Sequence, residues 1–472
     1  MWVLVRNATI WTCGPQGIIE GGDLLVERGR ITKIGRNLAI PEGAVVIDAT
    51  GKVVTPGIID AHSHLAVAGG VNEASQSVTC EVRIGDVLNS ADIGIYRQLA
   101  GGTTVANILH GSANTIGGQC EVIKLRWGAL PEELKFAGAM PGVKFALGEN
   151  VKQSNRGDRF TTRYPQTRMG VREIMDDTFT RARDYERAWA DFDTGRSKLP
   201  QRRDLELEAA LEILHGERLV NIHSYRQDEV LAFIRLAQKW RLPAILFQHI
   251  LEGYKVADQI ATIGAGASAF SDWWAYKYEV IDAIPYAGAL MHAAGVLVSF
   301  NSDDDELGRR LNTEAAKAVK HGGVPPEEAL KFVTLNPAQQ LRIADRAGSL
   351  EHNKDADFVI WSGPPLSTLS RAEQTWIDGR CYFSLEDDTR MRATASAARA
   401  ALVQKILPER EKALDRGDAG PGGKEPDAAA SMPPAMTLFE RRAAREAACE
   451  QRGLYHDGTY ATGCAAHEGG DR

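Results

Sequence analysis

The chain has 472 residues, of which 44% are hydrophobic and 25% charged, and its formal net charge is −7. These values are typical of a globular enzyme with a large buried core. The acidic balance excludes the basic footprint expected for nucleic-acid binding, and no run of about 20 apolar residues is present to span a membrane. We therefore expect neither nucleic acid nor a membrane among the partners of this protein.

The N-terminus and the cysteines bear on where the protein resides. MWVLVRNATIWTCG is apolar for only a few residues, which predicts a first strand rather than a signal peptide. The six cysteines are scattered without a CxxC motif or regular spacing, a pattern that favours free thiols in a reducing compartment. We therefore expect a cytoplasmic protein, unless a leader preceded this numbering.

Short β-like runs separated by Gly- and Pro-containing turns occur near both ends of the chain. Residues 1–54 contain WVLVRNATIWT, GDLLVERGRITKIG and AVVIDATGKVV, and similar runs return in residues 346–385. Two distant segments of this kind most simply form one small sheet domain. We predict a composite β-sandwich domain built from residues 1–54 and 346–385.

Between these segments, residues 55–345 alternate apolar runs of strand length with helical stretches. That alternation predicts repeated βα units around a parallel sheet, which belongs to the α/β class. The eight candidate strands are GIIDAHSH, TTVANILH, EVIKLRW, GVKFALG, RLVNIHS, PAILFQH, GASAFS and GVLVSFNSD. Eight such runs favour a (β/α)8 TIM barrel over residues 55–345, and a doubly wound open sheet is the structural alternative.

The composition changes after residue 385. RMRATASAARAALVQKILPEREKALDRG predicts a helix, DAGPGGKEPDAAASMPPAM a linker, and FERRAAREAACEQRG a second helix. We expect residues 386–472 to form a helical and partly flexible tail that either wraps the protein or contacts another subunit. A homo-oligomer, or a partner subunit bound through this tail, is therefore an expectation.

Side chains with metal-binding capacity follow several predicted strands. In a parallel barrel the strand ends meet at one face, where active sites lie. His62 and His64 share the inward face of strand one, because alternate residues of a strand point the same way. Other strand ends carry His110 (strand two), His223 (strand five), His249 (strand six) and Asp303 (strand eight). One such histidine is usually structural, but the set favours a metal site, and its nitrogen and carboxylate ligands suit Zn²⁺, with Mn²⁺, Fe²⁺ or Co²⁺ as alternatives.

Several motifs of the chain resemble those of a known family. VVTPGIIDAHSHL, NIHSYRQDEV, FQHILEG and SFNSDDDELGRRLNTEAAKAVKHGGVPPEEALKFVTLNPAQQL, followed by AGSLEHNKDADFVIW, are similar to motifs of the metal-dependent amidohydrolase superfamily. The similarity is greatest to its imidazolonepropionase-like and prolidase-like branch. It covers about residues 1–385, with the motifs in the expected order, and the tail lies outside it.

The resemblance implies a ligand set for two metals. Its members are His62 and His64 on one metal, His223 and His249 on the second, Asp303 at the end of strand eight, and a bridging carboxylated lysine on strand four. In GVKFALGENVK this lysine is Lys144, because Ala146 and Gly148 on the same face leave room for a long side chain. Two alternatives stay open. Glu149 is itself a candidate ligand of a one-metal site, and an unmodified Lys144 is a candidate partner for a buried acid.

The resemblance also implies a mechanism. A hydroxide held between the metals attacks an amide-type carbonyl, and Asp303 acts as general base and then as general acid toward the leaving nitrogen. His110 is a candidate hydrogen-bond donor to the oxyanion, with a packing role as the alternative. The loop HGSANTIGGQ, which contains Asn114, suits close approach of backbone to ligand. Tyr225 and Arg226, which follow His223, are candidate substrate contacts, although a solvated loop arginine is equally consistent with the sequence.

A long segment, residues 150–205, follows strand four. Its first part is rich in cations, namely Lys152, Arg156, Arg159, Arg163, Arg168 and Arg172. Placed over the active-site mouth, it would favour a carboxylate-bearing small-molecule substrate and would act as a lid. An ordinary solvated loop or a subunit contact explains the same cations.

We expect a hydrolase of C–N bonds in amides, cyclic amides or dipeptides. One alternative is a non-catalytic scaffold on the same barrel, although every position of the two-metal pattern is filled. Another is a metal-dependent deaminase, isomerase or decarboxylase, which the ligand set does not distinguish from an amide hydrolase, because function depends on the site rather than the fold.

Overall fold

The computed structural model of the chain describes residues 1–152, 162–270, 277–304 and 306–415. The described residues fall into two compact units, one of residues 1–385 and one that begins at Glu386. The strands are β1 (Trp2–Trp11), β2 (Ile18–Glu27), β3 (Arg30–Gly35), β4 (Val45–Asp48), β5 (Val53–Pro56), β6 (Ile58–Ser63), β7 (Thr103–Ile108), β8 (Ile116–Lys124), β9 (Gly142–Ala146), β10 (Leu219–His223), β11 (Ile245–Gln248), β12 (Gly266–Ala269), β13 (Leu297–Phe300), β14 (Phe358–Trp361), β15 (Ala372–Ile377) and β16 (Arg380–Ser384).

The helices follow the same chain order. They are α1 (Ile93–Leu99), α2 (Pro131–Leu134), α3 (Arg168–Asp193), α4 (Leu205–His215), α5 (Gln227–Trp240), α6 (Ala257–Thr262), α7 (Ala287–Ala293), α8 (Leu311–Gly322), α9 (Pro326–Lys331), α10 (Leu335–Gln340) and α11 (Leu385–Asp415). Among the helices that the structure describes, none combines the length and apolar character needed to cross a bilayer.

Strands from both ends of the first unit share one mixed sheet. Its order is β16-β15-β14-β5-β1-β2-β3, and β4 also pairs with β1. The two ends meet where β5 pairs antiparallel with β14, Val53 opposite Trp361 and Pro56 opposite Phe358. The expected joining of the two chain ends is therefore observed, whereas the sandwich arrangement and the boundaries 1–54 and 346–385 stay predictions.

The second sheet contains all eight predicted barrel strands, in the order β6 to β13. Its two edges approach each other, because the Asp303 N–H, just after β13, donates to the His62 carbonyl of β6 at 2.9 Å. The Ser302 N–H and hydroxyl also donate to the Asp60 carboxylate, at 3.0 and 2.5 Å. The sheet is thus a nearly closed barrel within a mixed α/β fold.

The third barrel strand corrects the expectation of a wholly parallel sheet. β8 pairs antiparallel with both β7 and β9, while the other neighbouring strands are parallel. Only residues 109–115 join β7 to β8, and a parallel crossover needs about a dozen residues or more. This connection therefore forms a hairpin instead of a βα unit.

Helices cover the outer face of the barrel through apolar side chains at helical spacing. On α5, Val230, Phe233, Ile234 and Ala237 are buried, at positions i, i+3, i+4 and i+7. The Phe233 ring lies 6.5 Å from that of Phe145 on β9. The Phe233 ring also packs against Phe247 of β11, with centroids 5.9 Å apart. Burial of one such phenylalanine contributes about 1.5–3 kcal/mol, so this layer helps to hold β9 and β11 in position.

A buried ion cluster joins the barrel to the mixed sheet at the far end of β8. Lys124, which is 0% exposed, lies 2.7 Å from Asp355, 2.9 Å from Asp357 and 2.5 Å from Asp378. Arg126 also pairs with Asp378 at 2.8 Å. Because the lysine is surrounded by three carboxylates, its pKa is raised against the opposing effect of burial.

The second unit is described here only by α11. In it, Leu402, Val403, Ile406 and Leu407 are all exposed. Binding of another subunit through this tail stays a prediction.

Candidate metal centre

The predicted metal-binding side chains lie together where barrel strands end. His62 belongs to β6 and His64 follows it by one residue, while His223 is the last residue of β10. His249 directly follows β11 and Asp303 lies three residues beyond β13. His249 and Asp303 have positive φ values of 56° and 48°, so the chain turns sharply as it leaves each strand. These turns bring the side chains of different strands to one end of the barrel.

One carboxylate oxygen, Asp303 Oδ1, is the common neighbour of three imidazoles. It lies 3.1 Å from His64 Nε2, 3.2 Å from His62 Nε2 and 3.6 Å from His249 Nε2. The two nitrogens of His62 and His64 are 3.3 Å apart. The ring centroid of His223 lies 5.1 Å from that of His249. All five side chains are at least 95% buried, so the cluster is enclosed in low dielectric.

Burial controls the protonation states in this cluster. It lowers the pKa of His62, His223 and His249 well below the ordinary histidine value, so these rings are neutral near pH 7. Burial would raise the pKa of Asp303, but the neighbouring His249 and His64 lower it to about 2. The site therefore combines neutral imidazoles with one carboxylate that is ionised at neutral pH.

Polar atoms of the cluster fit a bound cation. Within the described residues, both ring nitrogens of His223 and of His249, His62 Nδ1 and Asp303 Oδ2 are buried without a hydrogen-bond partner. His64 Nδ1 donates to the Leu109 carbonyl at 2.9 Å, and its Nε2 faces Asp303 Oδ1 at 3.1 Å. His62, His64 and Asp303 each offer a ligand atom within 4.8 Å of the others. Nitrogen and carboxylate donors of this kind suit Zn²⁺ and related divalent metals.

Lys144 approaches the same cluster from β9. Its side chain is buried, and Nζ lies 3.0 Å from His62 Nε2. The neighbouring Phe145 points the other way and stacks on Phe179 of α3, as the alternation of a strand predicts. Whether Lys144 carries a carboxyl group stays a prediction.

Gly148 does not provide room for Lys144 as the sequence suggested. A Cβ at this position would lie 2.6 Å from Glu279 Oε1 and 3.2 Å from Glu229 Oε2, and its φ is +79°. β9 ends at Ala146, so the strand alternation no longer holds at residue 148. Glycine is instead required because two carboxylates and a left-handed backbone meet there.

Glu149, the alternative ligand, is held by cations. Its carboxylate lies 2.9 Å from Lys152 Nζ and 2.7 Å from Arg168 Nη1. This pairing favours a role for Glu149 at the rim of the site over a role among the imidazoles.

His110 and Asn114 hold neighbouring loops. His110 Nδ1 donates to the Gly111 carbonyl at 2.8 Å, and Nε2 accepts the Glu73 N–H at 2.8 Å. Asn114 donates to the Glu73 carbonyl and to Thr79 Oγ1, at 2.5 and 2.6 Å. Both side chains thus fix the loop after β6, and this geometry does not favour the oxyanion and substrate contacts predicted for them.

Tyr225 and Arg226 lie at the rim, at different depths. Tyr225 is buried, and its ring packs edge-on against His223 with centroids 4.5 Å apart. Arg226 pairs with Asp228 at 3.0 Å and lines an open cavity of about 570 Å³. The Lys277 ammonium, which lines the same cavity, lies 4.2 Å from the centre of the Tyr225 ring.

Two residues near the site, Lys277 and Asp60, were not predicted from the sequence. Lys277 donates to Asn150 Oδ1 at 3.2 Å. It follows the seventh candidate strand, and this position could have indicated that it lies near the site. Asp60 belongs to IDAHSH and shares the alternation of His62 and His64. Its carboxylate accepts the His62 N–H at 3.2 Å, and burial raises its pKa to about 7.

The described cations of the basic segment after strand four bind groups of the protein. Arg163 donates to the carbonyls of Ala74, Gln76 and Ala113, and Arg168 pairs with three glutamates. Arg172 lies 3.9 Å from Asp176. Arg156 and Arg159 lie outside the described residues. The described cations therefore bind the protein itself, which weakens the case for a surplus of positive charge over the mouth.

Comparison with known proteins agrees with this geometry. The Amidohydrolase family profile matches residues 281–384. The crystal structure of an amidohydrolase from Thermotoga maritima MSB8 is 33% identical, with a TM-score of 0.74, over 81% of this chain and 100% of that one. Imidazolonepropionase from Thermoplasma acidophilum is 26% identical over 78% of this chain and 91% of its own length.

A longer relative is amidohydrolase tasK from Hapsidospora irregularis, 34% identical over 427 residues. The match covers 80% of this chain but only 43% of that protein, so the chain spans less than half of its length. The Thermotoga structure, by contrast, is matched along its whole length. This chain therefore belongs to the amidohydrolase family, as its strand-end motifs predict.

Proposed function

We propose that the protein is a metal-dependent hydrolase of C–N bonds in small amides, cyclic amides or dipeptides. The single observation that carries this proposal is the convergence of His62, His64 and His249 on the buried Asp303 carboxylate, within 3.6 Å. Membership of the amidohydrolase family supports hydrolysis as the class of reaction.

The ligands in this proposal are the buried donors of the cluster. The residues that would hold one or two Zn²⁺ ions, or Mn²⁺, Fe²⁺ or Co²⁺ as alternatives, are His62, His64, His223, His249, Asp303 and Lys144, the last as a carboxylated lysine. A bound divalent metal supplies a water of lowered pKa and polarises the carbonyl oxygen of the substrate.

The chain supplies proton transfer through Asp303. Its pKa of about 2 keeps the carboxylate ionised at neutral pH, and Oδ2 has no hydrogen-bond partner in the described part of the chain. That oxygen is therefore available to accept the proton of the attacking water. The proton then passes to the departing nitrogen, so that Asp303 serves as base and afterwards as acid.

The substrate site in this proposal is the 570 Å³ cavity outside Tyr225. Its charged lining is nearly balanced, with the cations Lys152, Arg168, Arg226 and Lys277 and the acids Glu149, Asp228 and Glu279. This balance suits a polar small molecule, and a carboxylate on the substrate stays a prediction. Tyr225 contacts both His223 and Lys277 of the cavity lining, and is proposed to orient the scissile amide.

Metal analysis combined with a substrate screen tests this function. Protein purified without chelator is expected to contain two divalent metals per chain and to hydrolyse members of a panel of cyclic amides, N-acyl amino acids and dipeptides. Lys144→Ala is expected to lose metal, whereas His292→Asn, a histidine of α7 outside the cluster, is expected to retain it. Folded protein with neither metal nor turnover would support the scaffold alternative, and one metal retained in Lys144→Ala would contradict the carbamate.

A further inference from the structure

A small cavity lies on the outer side of the barrel, between α3, α5 and the residues that follow β9. Its volume is about 120 Å³. Its walls include Val171 and Met175 from α3, Phe233 and Leu236 from α5, and Leu147. Each of these apolar side chains is buried. These apolar walls favour the carbon chain of an occupant.

One end of this cavity is polar, because Glu229 of α5 lines it. The Glu229 side chain is only 6% exposed, and its Oε1 accepts a hydrogen bond from Arg168 Nε. Its other oxygen, Oε2, is buried and has no hydrogen-bond partner among the residues that the structure describes. A buried acceptor without a donor costs about 1–3 kcal/mol, so a donor that reaches Oε2 is favoured.

The neighbouring charges define which donor fits. Arg168 is shared by three carboxylates, since it also lies 2.7 Å from Glu149 and 3.7 Å from Glu279. Glu279 approaches Glu229 across Gly148, where the absence of a side chain leaves space. Glu149 and Glu279 have second cations, Lys152 at 2.9 Å and Lys277 at 3.2 Å, whereas among the described ion pairs Glu229 is paired with the shared Arg168 alone. A cationic donor is favoured here over an anion.

We propose that this cavity binds a small aliphatic primary amine, with its ammonium group on Glu229 Oε2 and its carbon chain between Val171, Met175 and Phe233. An apolar cavity of about 150 Å³ holds benzene, so this one accommodates about five non-hydrogen atoms. The site is separate from the metal centre, because Leu147 and Phe145 face the helices while Lys144 faces the barrel interior. The proposal does not rest on the proposed function, but Arg168 and Asp228 line both this cavity and the 570 Å³ cavity.

Isothermal titration calorimetry with isobutylamine tests the site directly. The amine has five non-hydrogen atoms, and its saturable binding to one site per chain is the expected result. Isobutyrate has a similar carbon skeleton with the opposite charge and is expected not to bind. Equal affinity for isobutyrate, or no saturable binding of isobutylamine, would overturn the proposal.

Two variants separate the charge of the site from its volume. Glu229→Gln preserves the shape and the Arg168 contact but removes the carboxylate, and we expect affinity for isobutylamine to fall at least tenfold. Ala232→Leu fills the cavity that Ala232 lines and is expected to abolish binding. Glu173→Gln, an exposed position of α3, is the matched control. Unchanged affinity in both cavity variants would contradict the assignment.

The pH dependence of wild-type binding provides a third measurement. The charged groups around Glu229 are Arg168 and Arg172 of α3, Asp228 of α5, Arg226, and the ion pairs Glu149–Lys152 and Glu279–Lys277. Burial raises the pKa of Glu229 to about 7, while an alkylammonium stays protonated through neutral pH. Affinity should therefore rise about tenfold from pH 6 to pH 8, as the ionised fraction of Glu229 rises by that factor. A flat profile in the wild type would refute the role of Glu229.

Discussion

Removal of the Asp60 carboxylate tests how the barrel is closed beside the metal centre. This buried side chain accepts the N–H groups of His62 and Ser302, at 3.2 and 3.0 Å, and the Ser302 hydroxyl at 2.5 Å. It therefore ties β6 to the residues after β13, where Asp303 lies. Asp60→Ala removes all three acceptor contacts, whereas Asp60→Asn keeps one acceptor oxygen.

The expected magnitude follows from the groups left without partners. In Asp60→Ala the two N–H groups remain buried, and each unsatisfied group costs about 1–3 kcal/mol. The Ser302 hydroxyl keeps the Asp304 carbonyl at 2.9 Å as its acceptor, so it contributes little to the loss. We expect the free energy of unfolding to fall by about 3 kcal/mol in Asp60→Ala and by about 1 kcal/mol in Asp60→Asn.

Urea denaturation of the metal-free protein measures this difference, with Asp86→Asn, an exposed aspartate, as the control. The m-value should stay constant, because the surface exposed on unfolding is unchanged. Zinc affinity should fall in the same order, since Asp303 is positioned through its N–H on the His62 carbonyl. Asp60→Ala as stable as the wild type, or Asp60→Asn as unstable as Asp60→Ala, would refute this reasoning.

Three further predictions concern other parts of the chain. Lys124→Met removes the cation shared by two buried carboxylates, Asp355 and Asp357, and the partly exposed Asp378. It is expected to lower the free energy of unfolding by about 3–5 kcal/mol, with a smaller loss at pH 5 than at pH 8, and chemical denaturation at both pH values measures this. The folded-state pKa of Glu229, about 7, lies above its ordinary value of 4.5, so wild-type stability should decrease as pH rises between these values, by at most about 3 kcal/mol. Thermal unfolding of Glu229→Gln should lack this component, and an identical pH profile would contradict it. Leu402→Glu with Ile406→Glu, both 58% exposed on α11, should reduce any self-association seen by sedimentation velocity, while Gln404→Glu, exposed on the opposite face of the helix, should not.

Most of the barrel could be predicted from the sequence because apolar runs and strand alternation are local patterns. The apolar runs that became β6 to β13 are short and separated by turns, and alternation on one strand was enough to pair His62 with His64 on the inward face. His223, His249 and Asp303 could be grouped because strand ends of a barrel converge. The sandwich arrangement, the domain boundaries, the roles of the ligands and the function of residues 386–472 stay predictions.

Other features depended on contacts between distant residues. β8 runs antiparallel because the loop of residues 109–115 is too short for a crossover. The residues of the strand itself do not indicate its direction. His110 resembled a site residue because it ends a strand, yet both its nitrogens bind loop backbone. Lys277 and Glu279 lie far along the chain from Glu149 and Arg168, and only folding brings their charges together.

The sequence by itself determined which side chains end the barrel strands, because periodicity and strand order are local properties of the chain. It identified the family and the donors of the candidate metal centre for the same reason. Only the tertiary structure decided which of the other charged side chains form pairs. Arg168 pairs with Glu149, Glu229 and Glu279, which lie far apart along the chain, and Gly148 is needed beside the last two carboxylates. Electrostatic and packing contacts depend on distances in space, which residue spacing along the chain does not specify.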